Sequence, residues 1–297
     1  MSSFSQFKKI SIWSMLGKII LLITVLFFTL SLVYFIYDID LTVLGTYYSM
    51  FFYIGLIFIL FYTFRKKDIN RNHVLGMRKT SWNEWKRYIP IQLLETLFSA
   101  VAILTVLFYL SDMFIEEFLM DEINNIESAT PVNIYNFMLS VIVSVFLAPV
   151  AEELLFRGVL INRLGLDIGV GKAVLVSSIL FSLVHLNIGF VGHFIGGLIY
   201  GMVYVKTKKL IVPIGLHALH NLLIKSPEIY ERIFSSKTNA SMKYAEIEQT
   251  LYYIQKFLVI GVALFILLLP VILYILYRLY PRNETVIPYE SNKVNDV

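Results

Sequence analysis

Ala151-Glu152-Glu153-Leu154-Leu155-Phe156-Arg157-Gly158 decides how this chain is read, because two carboxylates and a guanidinium stand inside a run, Ile134 to Leu160, that is otherwise almost wholly apolar. An ionisable group at membrane depth costs about 2.5–3.5 kcal/mol even on the gentlest insertion scale, so such groups persist only with partners. Helical geometry gives Glu153 a partner at once. Arg157 follows four residues on, with the acid N-terminal, the better orientation for an i,i+4 pair. Glu152 is turned about 100° away and needs a partner on another helix.

The 297 residues are 58% hydrophobic and 15% charged, with a mean hydropathy of +0.72. That balance excludes a soluble globular protein and predicts an all-α, polytopic transmembrane helical bundle whose constant partner is the lipid bilayer. No Gly-, Ser- or Pro-rich linker divides the chain, so 1–297 reads as one transmembrane domain with a motif-bearing core of four spans over 134–224. There is no cysteine, which excludes disulfides, thiol catalysis, Cys-ligated metal and prenylation of the chain itself. Nothing in the composition points to nucleic acid.

Taken in order, the expected spans are Ile19–Tyr37, Leu41–Phe64, Ile89–Leu110, Ile134–Leu160, Ala173–Asn187, Phe190–Val205, Leu210–Ile224 and Phe257–Tyr277. This gives about eight, with both termini cytoplasmic. The loop Arg65 to Arg87 carries eight Lys and Arg residues and is cytoplasmic by the positive-inside rule. Asp112 to Asn133 holds six acids and no base, and is expected as an external connection. This topology leaves 20 of the 25 Lys and Arg at cytoplasmic ends; the other five fall in or beside a last, external loop over 225–255, where an interfacial helix is an alternative. The three spans after Leu160 are short and Gly- or Pro-interrupted, as expected of helices shielded by neighbours around a water-filled cavity.

Depth can be reckoned at 1.5 Å per residue from each cytoplasmic end: about 15 Å for Glu152, 20 Å for His185, 12 Å for His217 and 18 Å for Asn221. All four fall in one slab near the midplane, and His217 and Asn221 share one helix face at i,i+4. Each also has a plain structural reading. A paired Glu153 and Arg157 can simply fix helix packing, and a lone intramembrane histidine is often a hydrogen-bonded packing residue. His193 and His220 lie near the same slab and are not separated from it by geometry. Glu95 reads as a packing or snorkelling acid and His73 as solvated. Gly192, Gly196, Gly197 and Gly201 read as a close helix contact. A carboxylate with imidazoles can deprotonate water directly or hold a metal that lowers the water's pKa, and Glu152, His185 and His217 suffice as a set for a divalent ion such as zinc. No His-Glu-x-x-His motif is present, and nothing requires the metal.

Glu152-Glu153-x-x-x-Arg157, Phe181-x-x-x-His185 and His217-x-x-x-Asn221 together resemble the three-motif signature of the CPBP family: the CAAX prenyl endopeptidases and the bacteriocin-processing or immunity proteins also called Abi proteins. The likeness covers about Phe146 to Leu223. It implies an intramembrane peptidase whose site opens toward the cytoplasm, acting on a peptide or membrane-protein substrate in peptide maturation, bacteriocin processing or self-immunity. Glu152 and His185 would activate water, His217 and Asn221 would form the oxyanion hole, and Glu153 with Arg157 would support the site. An acidic outer face and the lack of a eukaryotic targeting signal favour a bacterial plasma membrane. The rival expectation is a scaffold without proteolysis, binding a sensor or transporter and using the polar cluster only to hold its fold. Oligomeric state is not legible.

Overall fold

The computed structural model describes residues 5–76, 79–128, 133–185, 189–234, 244–282 and 285–294. Among these every regular element is helical: after a 3-10 turn at Gln6–Lys9 come α1 (Ile12–Tyr37), α2 (Leu41–Lys66), α3 (Arg71–Leu75) and α4 (Trp82–Ser128). They are followed by α5 (Ile134–Ile168), α6 (Val170–Leu183), α7 (Phe190–Thr207), α8 (Ile211–Phe234), α9 (Tyr244–Leu279) and α10 (Pro288–Val294). Five stretches among the described residues are long and apolar enough to cross a membrane: α1, α2, Trp82–Val106 of α4, α5, and Val259–Leu279 of α9. The other three expected spans appear as α6, α7 and α8. Every residue of α7 from Ile195 to Val205 is buried, so this helix is the centre around which the others pack.

The glycines of α7 explain how it can sit there. A Cβ on Gly192 would come within 2.5 Å of Ser99 Oγ and one on Gly196 within 3.2 Å of Glu95 Oε1, both on α4. On the opposite side, a Cβ on Gly197 would stand 3.2 Å from Ser178 Cα and one on Gly201 2.9 Å from a Val174 methyl, both on α6. Two four-residue pairs thus let two neighbouring helices approach closely, as small-residue stripes do in membranes.

Two expected loops are helical. α4 has 47 residues, about 70 Å, far more than the roughly 30 Å hydrocarbon core, so the acidic stretch after Leu110 continues the helix beyond the bilayer. The cause is visible in the chain: 112–128 lacks Gly and Pro, and Ile115, Leu119, Ile123 and Ile126 recur at helical spacing, an amphipathic signature. The loop expected over 225–255 is likewise mostly helix, with α8 running to Phe234 and α9 starting at Tyr244. α4 and α9 lie alongside one another.

Caps and ties fix the basic side. Ser81 and Glu84 form a reciprocal capping box at the start of α4 (Ser81 N to Glu84 Oε2 2.8 Å, Glu84 N to Ser81 Oγ 3.3 Å), while at the opposite end of α2 Asp40 caps through Thr42 N at 2.7 Å. Lys209 Nζ joins that box at 2.8 Å from both Glu84 oxygens. Gly76 ends α3 at φ 67°, where a Cβ would lie 1.9 Å from Lys208 O, so only glycine fits. Asn162, fully buried, donates to Gly158 O at 2.9 Å and to the Tyr204 hydroxyl at 3.0 Å, and accepts from Tyr289 N at 2.9 Å. The Tyr289 hydroxyl bonds Gln6, which joins both ends of the chain beneath the bundle. His73, expected as solvated, sits with its ring 5.5 Å from Tyr289, and its carbonyl accepts from Asn292 Nδ2 at 2.8 Å.

Candidate active site

α5 carries Glu152 and Glu153 on a short α-helical stretch, Ala148–Glu153, set between two π segments. Pro149 has no N–H, and the Ala148 N–H reaches back five residues to Val143 O, so Val143–Leu147 is a π turn. The Ser144 carbonyl therefore lacks the Ala148 amide as its i+4 partner and finds no amide on Pro149. Asn221 Nδ2 of α8 fills the vacancy at 2.7 Å. A second π segment, Leu154–Ile161, follows the two acids, and Ser177 Oγ takes the Phe156 carbonyl at 2.8 Å. Wide turns of this kind recur at functional sites because they aim side chains that a regular helix would place elsewhere.

Glu152 is 6% exposed, and three other helices converge on it. The Tyr53 hydroxyl of α2 donates to Oε1 at 2.7 Å, His185 Nε2 lies 3.7 Å from the same oxygen, and His217 Nε2 lies 3.7 Å from Oε2. His185 is set by its other nitrogen, whose N–H donates to Phe181 O at 2.8 Å. His217 Nδ1 is 3.0 Å from Glu153 Oε1, and its ring stacks on Tyr200 at 5.1 Å. Because a carbonyl and a carboxylate can only accept here, both rings present Nε2 to the cavity.

Glu153 and Arg157 pair at 3.0 Å as the spacing predicts, both fully buried. Arg157 also donates to Gly197 O at 3.1 Å and lies over the Phe181 ring at 4.6 Å. The pair is thus not separate from the cavity, since Glu153 holds His217. His193 lines the same cavity and stacks on His185 at 4.6 Å. His220 turns away: its Nδ1 is 3.0 Å from Glu95 Oε2, within a buried set completed by Gln92, Thr96 and Ser99. Glu95 is therefore a buried network acid that does not snorkel.

Glu152 stands where two cavities meet. One, of about 720 Å³, is polar and runs past His185, His193, His217 and Asn221 toward Thr42, Ser140 and Lys225, away from the basic loop. The other, of about 590 Å³, is apolar and runs between α1 and α2 toward Ile12 and Met15. The resemblance implies a cytoplasmic opening; in the charge-based orientation only the apolar cavity heads that way. Tyr53 lines both. The sequence reading missed it, although its position 12 residues into α2, about 18 Å, is far from the interfaces where tyrosines gather.

The His185 and His217 tautomers leave lone pairs on Nε2, as metal ligands require, yet among the described residues no three His, Asp or Glu side chains are grouped as an ion site.

Residues 134–223, which contain Glu152, Glu153, Arg157, His185, His217 and Asn221, match the family model "Type II CAAX prenyl endopeptidase Rce1-like". The match spans under a third of the chain and agrees with the resemblance to the CPBP family. It is also 35% identical over 100 residues to the membrane-embedded CAAX protease MroQ of Staphylococcus aureus (strain USA300), a match covering 31% of this chain and 38% of that protein. The chain thus aligns with well under half the length of this curated relative. No solved structure matches it. With its apolar helices and a membrane-embedded bacterial relative, the chain is a multi-pass protein of the plasma membrane. Tyr53 and Glu95 lie outside the matched segment, so helices before it complete the surroundings of its carboxylates.

Proposed function

We propose that the protein is an intramembrane endopeptidase that hydrolyses a peptide bond of a membrane-associated or small peptide substrate, with Glu152 as general base. The observation that carries this reading is the convergence of Tyr53, His185 and His217, from three helices, on one buried carboxylate at the edge of a polar cavity. A structural acid is fully occupied by its partners, whereas here both imidazoles stop 3.7 Å short, too long for a hydrogen bond and about the gap one small polar molecule bridges. The family match, and a relative that is itself a CAAX protease, support a protease.

In this reading Glu152 takes a proton from water held between it and His185, and the oxygen attacks the carbonyl carbon. The developing oxyanion is met by Asn221, whose second amide N–H is not used by Ser144, and by His217 Nε2, which donates when the ring carries both protons. Glu152 then returns its proton to the amine nitrogen as the C–N bond breaks. Tyr53 orients the carboxylate, and Glu153 with Arg157 orients His217. No step is routed through a metal. Maturation of a secreted peptide, bacteriocin processing and self-immunity are the roles this chemistry serves.

The test is comparative peptidomics of membrane and medium from cells carrying the wild type or Glu152→Gln. Peptides whose termini vanish in the variant, at equal protein abundance, are the expected result. Identical peptide profiles, with any cellular phenotype surviving both Glu152→Gln and His217→Ala, would instead identify a scaffold.

A further inference from the structure

α6, α7 and the end of α9 border an open groove of about 1060 Å³, apart from the two cavities at Glu152. Its walls include Leu175, Leu198, Met202, Val205 and Leu276, and its mouth carries Lys206, Arg278 and Arg282. No acid is among the described residues that line it. Leu198 lies eight residues before Lys206 on α7, about 12 Å deeper, while half a hydrocarbon core is about 15 Å. The groove therefore runs from the level of phosphate headgroups through nearly the depth of one leaflet, on the side that the charge bias makes cytoplasmic.

The wall that brings the cations is fixed in place. Lys206 Nζ donates to Arg278 O at 3.0 Å, pinning the end of α9 to the end of α7. The Tyr280 hydroxyl lies where a Cβ on Gly171 would meet it at 2.7 Å, so α6 has a glycine where this wall docks. Leu279 and Pro281 are buried. A groove apolar at acyl depth and cationic at headgroup depth has the charge and shape of one lipid. We propose that it binds an anionic phospholipid of the inner leaflet, the phosphate between Arg278 and Arg282 and an acyl chain along Leu175 and Tyr277, over the buried floor of Leu198 and Met202. This site is independent of the peptidase reading.

The experiment measures binding of fluorescent phosphatidylglycerol to the full-length protein in detergent. A basic residue near a membrane surface contributes about a fivefold affinity factor for anionic lipid, so Arg278→Gln/Arg282→Gln is expected to weaken binding roughly 25-fold. Arg65→Gln/Lys66→Gln removes the same charge from another part of the basic side and is expected to leave affinity unchanged. Phosphatidylcholine is expected to compete poorly, and glycerol 3-phosphate, which has no acyl chain, not at all at equal concentration. Equal losses in both double variants, no loss in either, or equal affinity for phosphatidylcholine would overturn the site. Competition by glycerol 3-phosphate as strong as by the lipid would overturn the lipid assignment. Arg282→Gln alone, beyond the helix end, gives the same decision at about fivefold if the double variant does not fold.

Discussion

Arg157 touches Glu153, Gly197 O and two aromatic faces without reaching solvent, so its removal strands a buried carboxylate. Arg157→Ala is expected to cost about 3–5 kcal/mol, read as a large fall in apparent Tm in detergent, whereas Glu152→Gln should change it little. Comparable losses in the two variants would mean that the adjacent acids share one role. Tyr53 gives a second prediction at this scale. A hydrogen bond to a charged group contributes about 1.5–3 kcal/mol and one to a neutral acceptor about 0.5–1.5, so Tyr53→Phe should cost about 1 kcal/mol less in a Glu152→Gln background than in the wild type, read in unfolding experiments. Additive effects would place the Tyr53 hydroxyl elsewhere. This contact was not legible in a chain with 19 tyrosines, because no local pattern tells a phenol aimed at a carboxylate from one packed in lipid. The meeting of Glu152 with His185 and His217 was legible, since charged and polar groups in lipid must find one another and their depths agreed.

At the scale of the helix, Pro149 and Asn221 act as one device. The missing proline amide orphans the Ser144 carbonyl, and Asn221 covers it. Asn221→Ala should therefore destabilise by about 1 kcal/mol, the low end of the cost of an unsatisfied acceptor, because this carbonyl is only part-buried. In a Pro149→Ala background, where residue 149 regains an N–H, that penalty should shrink; an unchanged penalty in detergent unfolding would refute the link. The sequence reading passed over the π turns because a run that is apolar on all sides carries no phase from which an extra residue per turn can be seen. It also read the stretch after Leu110 by charge alone and expected a loop, although helical periodicity was present there. The α7 glycines, by contrast, were legible because their spacing is the contact.

Across the whole molecule, the basic side is tied by a few polar hubs. Tyr289, nearly fully buried, bonds Asn162 through its amide and Gln6 through its hydroxyl, packs edge-on against Phe7 at 4.8 Å, and so joins α10, the N-terminal turn and α5. Tyr289→Ala is expected to cost about 3–5 kcal/mol, as for other large buried aromatics, measured by unfolding in detergent. Peptide cleavage below the melting range should persist, because no Tyr289 contact reaches Glu152; loss of cleavage at full folding would show that the two faces are coupled.

The bond from Tyr53 to Glu152 spans 99 positions, and that interval is also a schedule. A ribosome adding 5–20 residues per second delivers Tyr53 to the bilayer at least about five seconds before Glu152, and His217 about three seconds or more after it. During synthesis the nascent acid pair has only the α2 phenol and its own Arg157 as company until the imidazoles arrive. The first hairpin is in this sense a chaperone within the chain, sheltering a carboxylate whose other partners have yet to be made.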